Sequence, residues 1–340
     1  MEAIRLAIIG ASGAAEPYRN AAARLRRGSF VAVIDDDEAL AQSMAVAIGA
    51  SLVLPSLGDA LAAEEDTFDA IVLRAPLAER AVLVEQAAQA GKSVFVEAPL
   101  AVNLTQAERA VEVTREQKVC GMLGGTLRFL PAYRTILSRL AERKLGTPGL
   151  LRVHRWSSAE ESGEGLSNGE LPAGGFLERV VGDVDLAIRI FGARPTRVHA
   201  IGREPRPSAS AHRRMPAYLQ LHFGFPEGAM AVLDFATTLP AGEGYESLHV
   251  IGSRGAAYAD DHHNTHLLFQ GGEPRTRISP QGHLHTVLEL QEFVDAIVGK
   301  RPPAVDLEDG CVAQHVLEAV LQSLDGGQVL YLEEGIYKAV

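Results

Sequence analysis

The sequence predicts an α/β fold in two parts: a doubly wound parallel sheet, then an α+β domain with a large, mostly antiparallel sheet. Three observations carry this. In the first part, short apolar runs alternate with longer amphipathic stretches, the pattern of strands joined by right-handed helical crossovers. A glycine-containing turn falls directly after the first apolar run. Beyond Gly146 the runs begin to alternate apolar with polar residues, as in a sheet with one covered face. At 340 residues the chain suits two domains, expected over 1–123 and 124–340, with the final helix and tail able to pack back on the first.

Taken in order, Ile4–Ile9, Phe30–Ile34, Ala70–Leu73, Ser93–Val96 and Cys120–Leu123 read as strands buried on both faces. Between them Ala21–Arg27, Glu38–Ile48, Glu79–Ala90 and Thr105–Gln117 carry helical spacing. In the second part Leu150–His154, Val198–Gly202, Tyr218–Phe223, Met230–Phe235, Leu248–Ile251 and Leu267–Phe269 read as strands. Helical pattern returns at Gly175–Phe191, His285–Val298 and Asp309–Ser323, and 203–214 reads as a surface loop.

Composition narrows the function. With 43 acidic against 32 basic residues the formal charge is −11. That balance argues against a nucleic-acid or anionic-membrane partner, which needs clustered Lys and Arg. Cys120 and Cys311 cannot build a disulfide framework, and neither a signal peptide nor a membrane-spanning run is recognisable. A cytoplasmic protein is expected.

The segment Gly10-Ala-Ser-Gly13-Ala-Ala15 lies between the first strand and the first helix. There glycine permits a tight turn, and a helix N-terminus offers N–H groups to a pyrophosphate. Ser12 and Ala15 stand where G-x-G-x-x-G has glycines, and Glu16 brings a carboxylate close by. The second strand ends in Val33-Ile-Asp35, where an acidic residue binds the adenosine ribose. Asp36 and Asp37 follow, with no Arg beside them to accept a 2′-phosphate, so NAD is expected in preference to NADP.

The chain resembles the glucose–fructose oxidoreductase / inositol dehydrogenase (Gfo/Idh/MocA) family over essentially its whole length. The segments that carry the resemblance are Ile8-Ile-Gly10, Val33-Ile-Asp35, Asp69-Ala-Ile-Val-Leu and Ala90-Gly-Lys-Ser-Val-Phe-Val-Glu97-Ala98-Pro99-Leu. Further along come Arg128-Phe129 after Gly124, Gly174-Gly175 with Asp183-Val-Asp185, and Phe293-Val-Asp-Ala-Ile before Arg301-Pro-Pro. The resemblance implies an N-terminal Rossmann domain and a C-terminal domain whose sheet forms a homodimer or homotetramer. It also implies hydride transfer between a nicotinamide and a sugar, polyol or related small polar substrate. Cofactor contacts are expected from Gly10, Ser12, Gly13, Ala14, Asp35, Asp36, Ala75, Pro76, Glu97 and Pro99.

The departures from the family are informative. Oxidising an alcohol needs a group that takes the hydroxyl proton. The family's Glu-Lys-Pro supplies a lysine; here Ala98 stands in that place. The family's aspartate and histidine, four residues apart on one helix face, become Glu178 and Gly182. Arg80 replaces a common histidine and Thr126 a common asparagine. Glu178, Asp183 and Glu97 are the remaining acid/base candidates, with Glu178 first. Lys92 lies at the wrong end of the sheet to replace the missing lysine. Arg80, Arg128, His154 and Trp156 are candidate substrate contacts, Arg80 suiting an anionic group. The leading function is an NAD(P)-linked oxidoreductase. The rival is a catalytically silent relative that binds a dinucleotide or sugar and reports it to a partner, with a nicotinamide-dependent lyase or hydrolase a third reading.

Other clusters read as structural. Asp260-Asp-His262-His263-Asn-Thr-His266 matches no established ligand spacing and reads as a hairpin turn, so no metal is expected. His283 and His285 read as loop and cap residues before a helix. Both cysteines read as core thiols.

Overall fold

In the computed structural model the residues described are 3–13, 15–62, 67–158, 175–203, 216–240, 243–260, 265–270, 275–278 and 284–339. The apolar runs of the first part form β1 (Ile4–Ile9), β2 (Gly28–Ile34), β3 (Leu52–Leu54), β4 (Ala70–Leu73), β5 (Ser93–Glu97) and β6 (Gly121–Gly124). All pair in parallel, in the order β3-β2-β1-β4-β5-β6. The winding direction reverses between β1 and β4, the switch point outside whose C-terminal strand ends open α/β sheets bind ligands. β4 is buried throughout and β5 at all but its last residue, which is why these strands read as unbroken apolar runs.

The helices between these strands are α1 (Glu16–Ala22), α2 (Glu38–Ile48), α3 (Leu57–Ala62), α4 (Leu77–Gln89) and α5 (Leu104–Glu116). Asp37 caps α2 by accepting from the Leu40 N–H at 3.0 Å, and Asn103 caps α5 through the Gln106 N–H. The first helix differs from the expected Ala21–Arg27. It starts at once after the glycine turn, with Pro17 in its first turn, where the missing N–H costs nothing. β3 was not expected: three half-buried residues at a sheet edge carry too little apolar pattern to stand out.

The second sheet has ten strands in the order β14-β13-β12-β11-β7-β10-β9-β8-β15-β16. They are β7 (Pro148–Ser158), β8 (Arg197–Arg203), β9 (Tyr218–Gly224), β10 (Met230–Leu239), β11 (Tyr245–Gly252), β12 (Gly255–Asp260), β13 (Thr265–Gln270), β14 (Arg275–Ile278), β15 (Leu330–Glu333) and β16 (Ile336–Ala339). β7 and β10 pair in parallel and every other pair is antiparallel. α6 (Pro131–Ala141) precedes β7, and α7 (Gly175–Phe191) packs on it. The two-residue period puts buried Leu151 and Val153 on the α7 side with Arg155. Arg152, His154 and Trp156 share the opposite face. Cross-strand register adds Ile201, Tyr218, Met230 and Ile251 to that face, all exposed.

The chain divides into two compact units that do not follow one cut in sequence. The first is Met1–Phe129 with Gly282–Gln314, the second Leu130–Gln281 with His315–Val340. The helices α8 (Leu284–Gly299) and α9 (Leu307–Gly326) explain the return. Phe293 stacks at a tilt on Phe95 with ring centroids 5.9 Å apart. Leu290, Val294, Val305 and Leu307 belong to the core of the parallel sheet. His285 lies inside α8 rather than before it, while His283 is outside the described residues.

Candidate active site

The residues expected around a dinucleotide gather at the C-terminal edge of the parallel sheet, in the first unit. After β1 the chain turns at Gly10 (φ +91°) and Gly13 (φ +80°), backbone that glycine adopts without strain. A Cβ on Gly10 would stand 2.4 Å from the Arg74 carbonyl oxygen, so the turn packs closer to the end of β4 than any side chain permits. Ser12 and Gly13 are exposed, and Ala14 lies outside the described residues. Asp35 locks this turn. One carboxylate oxygen accepts from the Ala11 N–H at 2.6 Å and the other from the Asp37 N–H at 2.9 Å. Asp36 and Asp37 are exposed beside it.

On the other side of the turn lies a charged cluster that the sequence did not announce. Arg74, immediately after β4, sets its guanidinium 4.5 Å over the Tyr18 ring and donates to the Gly10 carbonyl at 3.4 Å. Its Nε lies 3.6 Å from Glu97 Oε1 and, though buried, makes no hydrogen bond. The Tyr18 hydroxyl donates to the same Glu97 oxygen at 2.7 Å. Burial, reinforced by the Glu97 charge, holds the Tyr18 hydroxyl well above the usual phenol range. Ala98 follows, half-buried, its N–H donating to the Gly124 carbonyl at 2.9 Å.

Behind this cluster sits Glu289 of α8, 3% exposed, which accepts from the Thr126 N–H at 2.9 Å. Burial pushes its carboxyl up to about 8, against the pull of the Thr126 and Gly125 N–H groups, and the Glu97 charge adds to the rise. The Thr126 hydroxyl is itself buried and without a hydrogen-bond partner.

Two expected substrate contacts have other employment. Arg80, expected to meet an anionic ligand, is 5% exposed and donates to the carbonyls of Ala75 (2.9 Å), Pro99 (3.0 Å) and Glu97 (3.3 Å). The Ala75 and Pro99 carbonyls lie beyond the ends of β4 and β5, and a buried guanidinium supplies donors there. Arg128 is likewise buried and donates to Asp309 at 3.0 Å. Ala75 is buried, and Pro76 forms the N-cap of α4.

The other candidates belong to the second unit. Asp183 is 1% exposed, and both its oxygens are gripped by Arg155 at 2.7 and 3.0 Å. Desolvation pushes its carboxyl up while Arg155 pulls it back. That geometry makes it a structural anion rather than a group free to exchange protons with a ligand. Glu178 is exposed in the first turn of α7, and Gly182 follows four residues on. His154 shares a hydrogen bond of 2.9 Å with the Ser247 hydroxyl and meets Trp156 edge-on on the open sheet face. The sequence therefore names two groups of residues, and the structure assigns them to different units.

Sequence reasoning missed Arg74, Tyr18 and Glu289. A charge ending an otherwise apolar strand, and one interrupting the stripe Val287, Leu290, Phe293 of α8, were the available signals.

The described residues fit a dinucleotide. The glycine turn takes backbone that glycine adopts without strain, the acid stands at the end of β2, and a buried arginine nitrogen beside the turn lacks a partner. No group of three or more His, Cys, Asp or Glu among the described residues could hold a metal, and 261–264 lie outside them. Burial pushes the half-buried thiols of Cys120 and Cys311 up to about 11 and about 12, so neither is a ready nucleophile at neutral pH. No described helix is long and apolar enough to cross a membrane.

A parallel sheet with a locked glycine turn at its switch point defines a protein of the nucleotide-binding α/β class. Residues 4–124 match the oxidoreductase family with an NAD-binding Rossmann fold, and residues 133–258 match the GFO/IDH/MocA C-terminal domain. The chain belongs to the Gfo/Idh/MocA family of oxidoreductases. It is 27% identical over 285 residues to the myo-inositol 2-dehydrogenase of Thermotoga maritima, a match covering 80% of this chain and 82% of that protein. To the scyllo-inositol 2-dehydrogenase (NAD(+)) of Bacillus subtilis it is 25% identical over 276 residues, 79% of each. An oxidoreductase domain protein from Kribbella flavida shares the fold with a TM-score of 0.86 at 20% identity, over 98% of this chain and 100% of that one.

Proposed function

We propose that the protein is an NAD-linked oxidoreductase moving hydride to or from a carbon of a sugar, polyol or related small polar substrate. The observation that carries this reading is the Gly10–Gly13 turn locked to Asp35 in a chain of this family. A bound nicotinamide dinucleotide supplies the hydride acceptor or donor. Gly10, Ser12 and Gly13 offer it backbone at the phosphates, and Asp35 and Asp36 offer carboxylates to the adenosine ribose. Ala75, Pro76, Glu97 and Pro99 complete the site at the ends of β4 and β5. Asp35, Asp36 and Asp37 together disfavour a 2′-phosphate, so NADH should bind at least about tenfold more tightly than NADPH.

The protein still has to move a proton without the family's lysine. Glu97 is the group proposed for this, since it adjoins Ala98, is partly exposed and is oriented by the Tyr18 hydroxyl. Glu178, exposed on α7, is the second proposed carboxylate. Asp183 positions its surroundings through Arg155.

Fluorescence titration with NADH and NADPH, followed by a screen of polyols, sugars and sugar acids for cofactor reduction, tests the reading. Absence of NADH binding sinks it. Ala98 and Gly182 favour a second reading, a silent relative that binds a dinucleotide or sugar and reports it to a partner. Tight NADH binding without turnover over the whole panel would select that one.

The reading extends to a homodimer or homotetramer assembled through the open face of the ten-stranded sheet. Trp156, Ile201, Tyr218 and Met230 expose 38, 52, 56 and 49% of their surface there. A Tyr218→Asp, Met230→Asp double variant should lower the mass seen by light scattering to that of one chain. An unchanged mass would remove this face from the assembly.

A further inference from the structure

We propose that Arg74 changes partner when a dinucleotide binds, leaving the Glu97 carboxylate for the diphosphate. The inference rests on the nicotinamide reading above and adds to it a residue and a coupling.

A guanidinium carries five N–H donors in a planar fork, and its strongest bonds are bidentate, to phosphate or carboxylate. Arg74 uses little of that capacity. Its contact with the Gly10 carbonyl is long at 3.4 Å, and its Nε stands 3.6 Å from Glu97 Oε1 without a hydrogen bond. One terminal nitrogen lies 3.3 Å from where a Cβ on Gly13 would stand, so the free donors border the glycine turn. Its flat face rests on Tyr18, which fixes the plane of the fork without consuming a donor. Arg155 in the second unit, by contrast, makes both bonds of the fork to Asp183 at 2.7 and 3.0 Å. A diphosphate at the turn would offer Arg74 acceptors of higher charge than the single carboxylate it now faces at a distance.

The exchange has a consequence for Glu97. Facing its side chain are Tyr18 from α1, donating at 2.7 Å, Arg74 after β4, and the buried Glu289 of α8, whose carboxyl feels the Glu97 charge. Arg80 of α4 is committed to backbone carbonyls, Glu97's own among them. Drawing Arg74 toward the turn removes the cation that faces the carboxylate and leaves the Tyr18 hydrogen bond. Loading of the site would thereby leave the group proposed to accept the substrate proton held by the Tyr18 hydrogen bond.

Calorimetric titration with NADH tests this, since it reads affinity directly. Arg74→Ala should bind about 10- to 100-fold more weakly than the wild-type chain. Glu97→Gln, which frees Arg74 in advance, should bind about 3- to 10-fold more tightly. Arg74→Lys, keeping the charge without the fork, should fall between wild type and Arg74→Ala. An Arg74→Ala affinity within about twofold of wild type, or weaker binding by Glu97→Gln, overturns the exchange while leaving the nicotinamide reading standing. No NADH binding by the folded wild-type chain overturns both. If Arg74→Ala does not fold, Arg74→Lys and Glu97→Gln decide alone.

Discussion

Two arginine–carboxylate pairs, one in each unit, show what a charge pair looks like when it is finished and when it is not. Arg155 and Asp183 close on each other with both bonds of the fork, and their side chains are 13% and 2% exposed. Arg74 and Glu97 meet at a single long distance of 3.6 Å, with side chains 14% and 32% exposed. The first pair has satisfied its donors within the fold. The second leaves a buried nitrogen unbonded at the edge where the glycine turn, Asp35 and Ala98 converge. A buried pair that lacks a partner atom is the one to suspect of ligand chemistry.

The contrast can be broken most forcefully at Asp183. Asp183→Ala strands a nearly buried guanidinium, which should cost about 3–5 kcal/mol in chemical unfolding of the chain. A loss below about 1 kcal/mol would show that Arg155 finds other partners and that the closed pair is ornamental.

Glu289 gives the next largest effect and a sign. Its carboxyl holds a proton in the folded chain up to about pH 8, against an ordinary value of 4.5. Between these values the unfolded chain binds fewer protons than the folded one, so the stability this group contributes in its protonated form declines as pH rises through the window, and the decline ends above it. Glu289→Gln, neutral at every pH, should therefore gain about 2–4 kcal/mol on wild type between about pH 5 and pH 8. Parallel unfolding curves for the two chains would mean that Glu289 is ionised in place.

Gly10→Ala comes third. The strain of a Cβ against the Arg74 carbonyl should cost about 1–3 kcal/mol, read from melting, and abolish NADH binding by shifting the turn. A variant that melts early yet binds normally would separate the turn from the site. Glu97→Gln should be mildest in stability, below about 1 kcal/mol, because the amide oxygen can still accept from Tyr18 and the Arg74 contact is partly solvated. A larger loss would make the open pair as structural as the closed one.

The strands of the parallel sheet were legible because burial on both faces writes itself as uninterrupted apolar runs; Ile4–Ile9 and Ala70–Leu73 coincide with β1 and β4. Gly175–Phe191 was legible for the same kind of reason, a strong helical period. β3 was not, since three half-buried edge residues resemble a loop. At the site, the turn at Gly10 and Gly13 could be read because a backbone angle is local, whereas the bonds of Asp35 to the Ala11 and Asp37 N–H groups could not. Arg80 could not, since its task depends on carbonyls up to nineteen residues away in sequence. Arg74 and Glu289 escaped for the same reason. Their significance lies in what stands opposite, Glu97 in one case and the Thr126 N–H in the other.

The return of Gly282–Gln314 to the first unit sets an order of events during synthesis. The parallel sheet is complete on the ribosome once β6 has emerged, yet Phe95 then lacks Phe293, and the Leu123 N–H lacks the Val305 carbonyl that it reaches at 3.1 Å. Residues 130–281 must be made, and can begin to pair their own strands, while the earlier unit still waits for its last wall. The nascent N-terminal portion should accordingly remain protease-sensitive until α8 and the following segment are released, with protection arriving in a single late step.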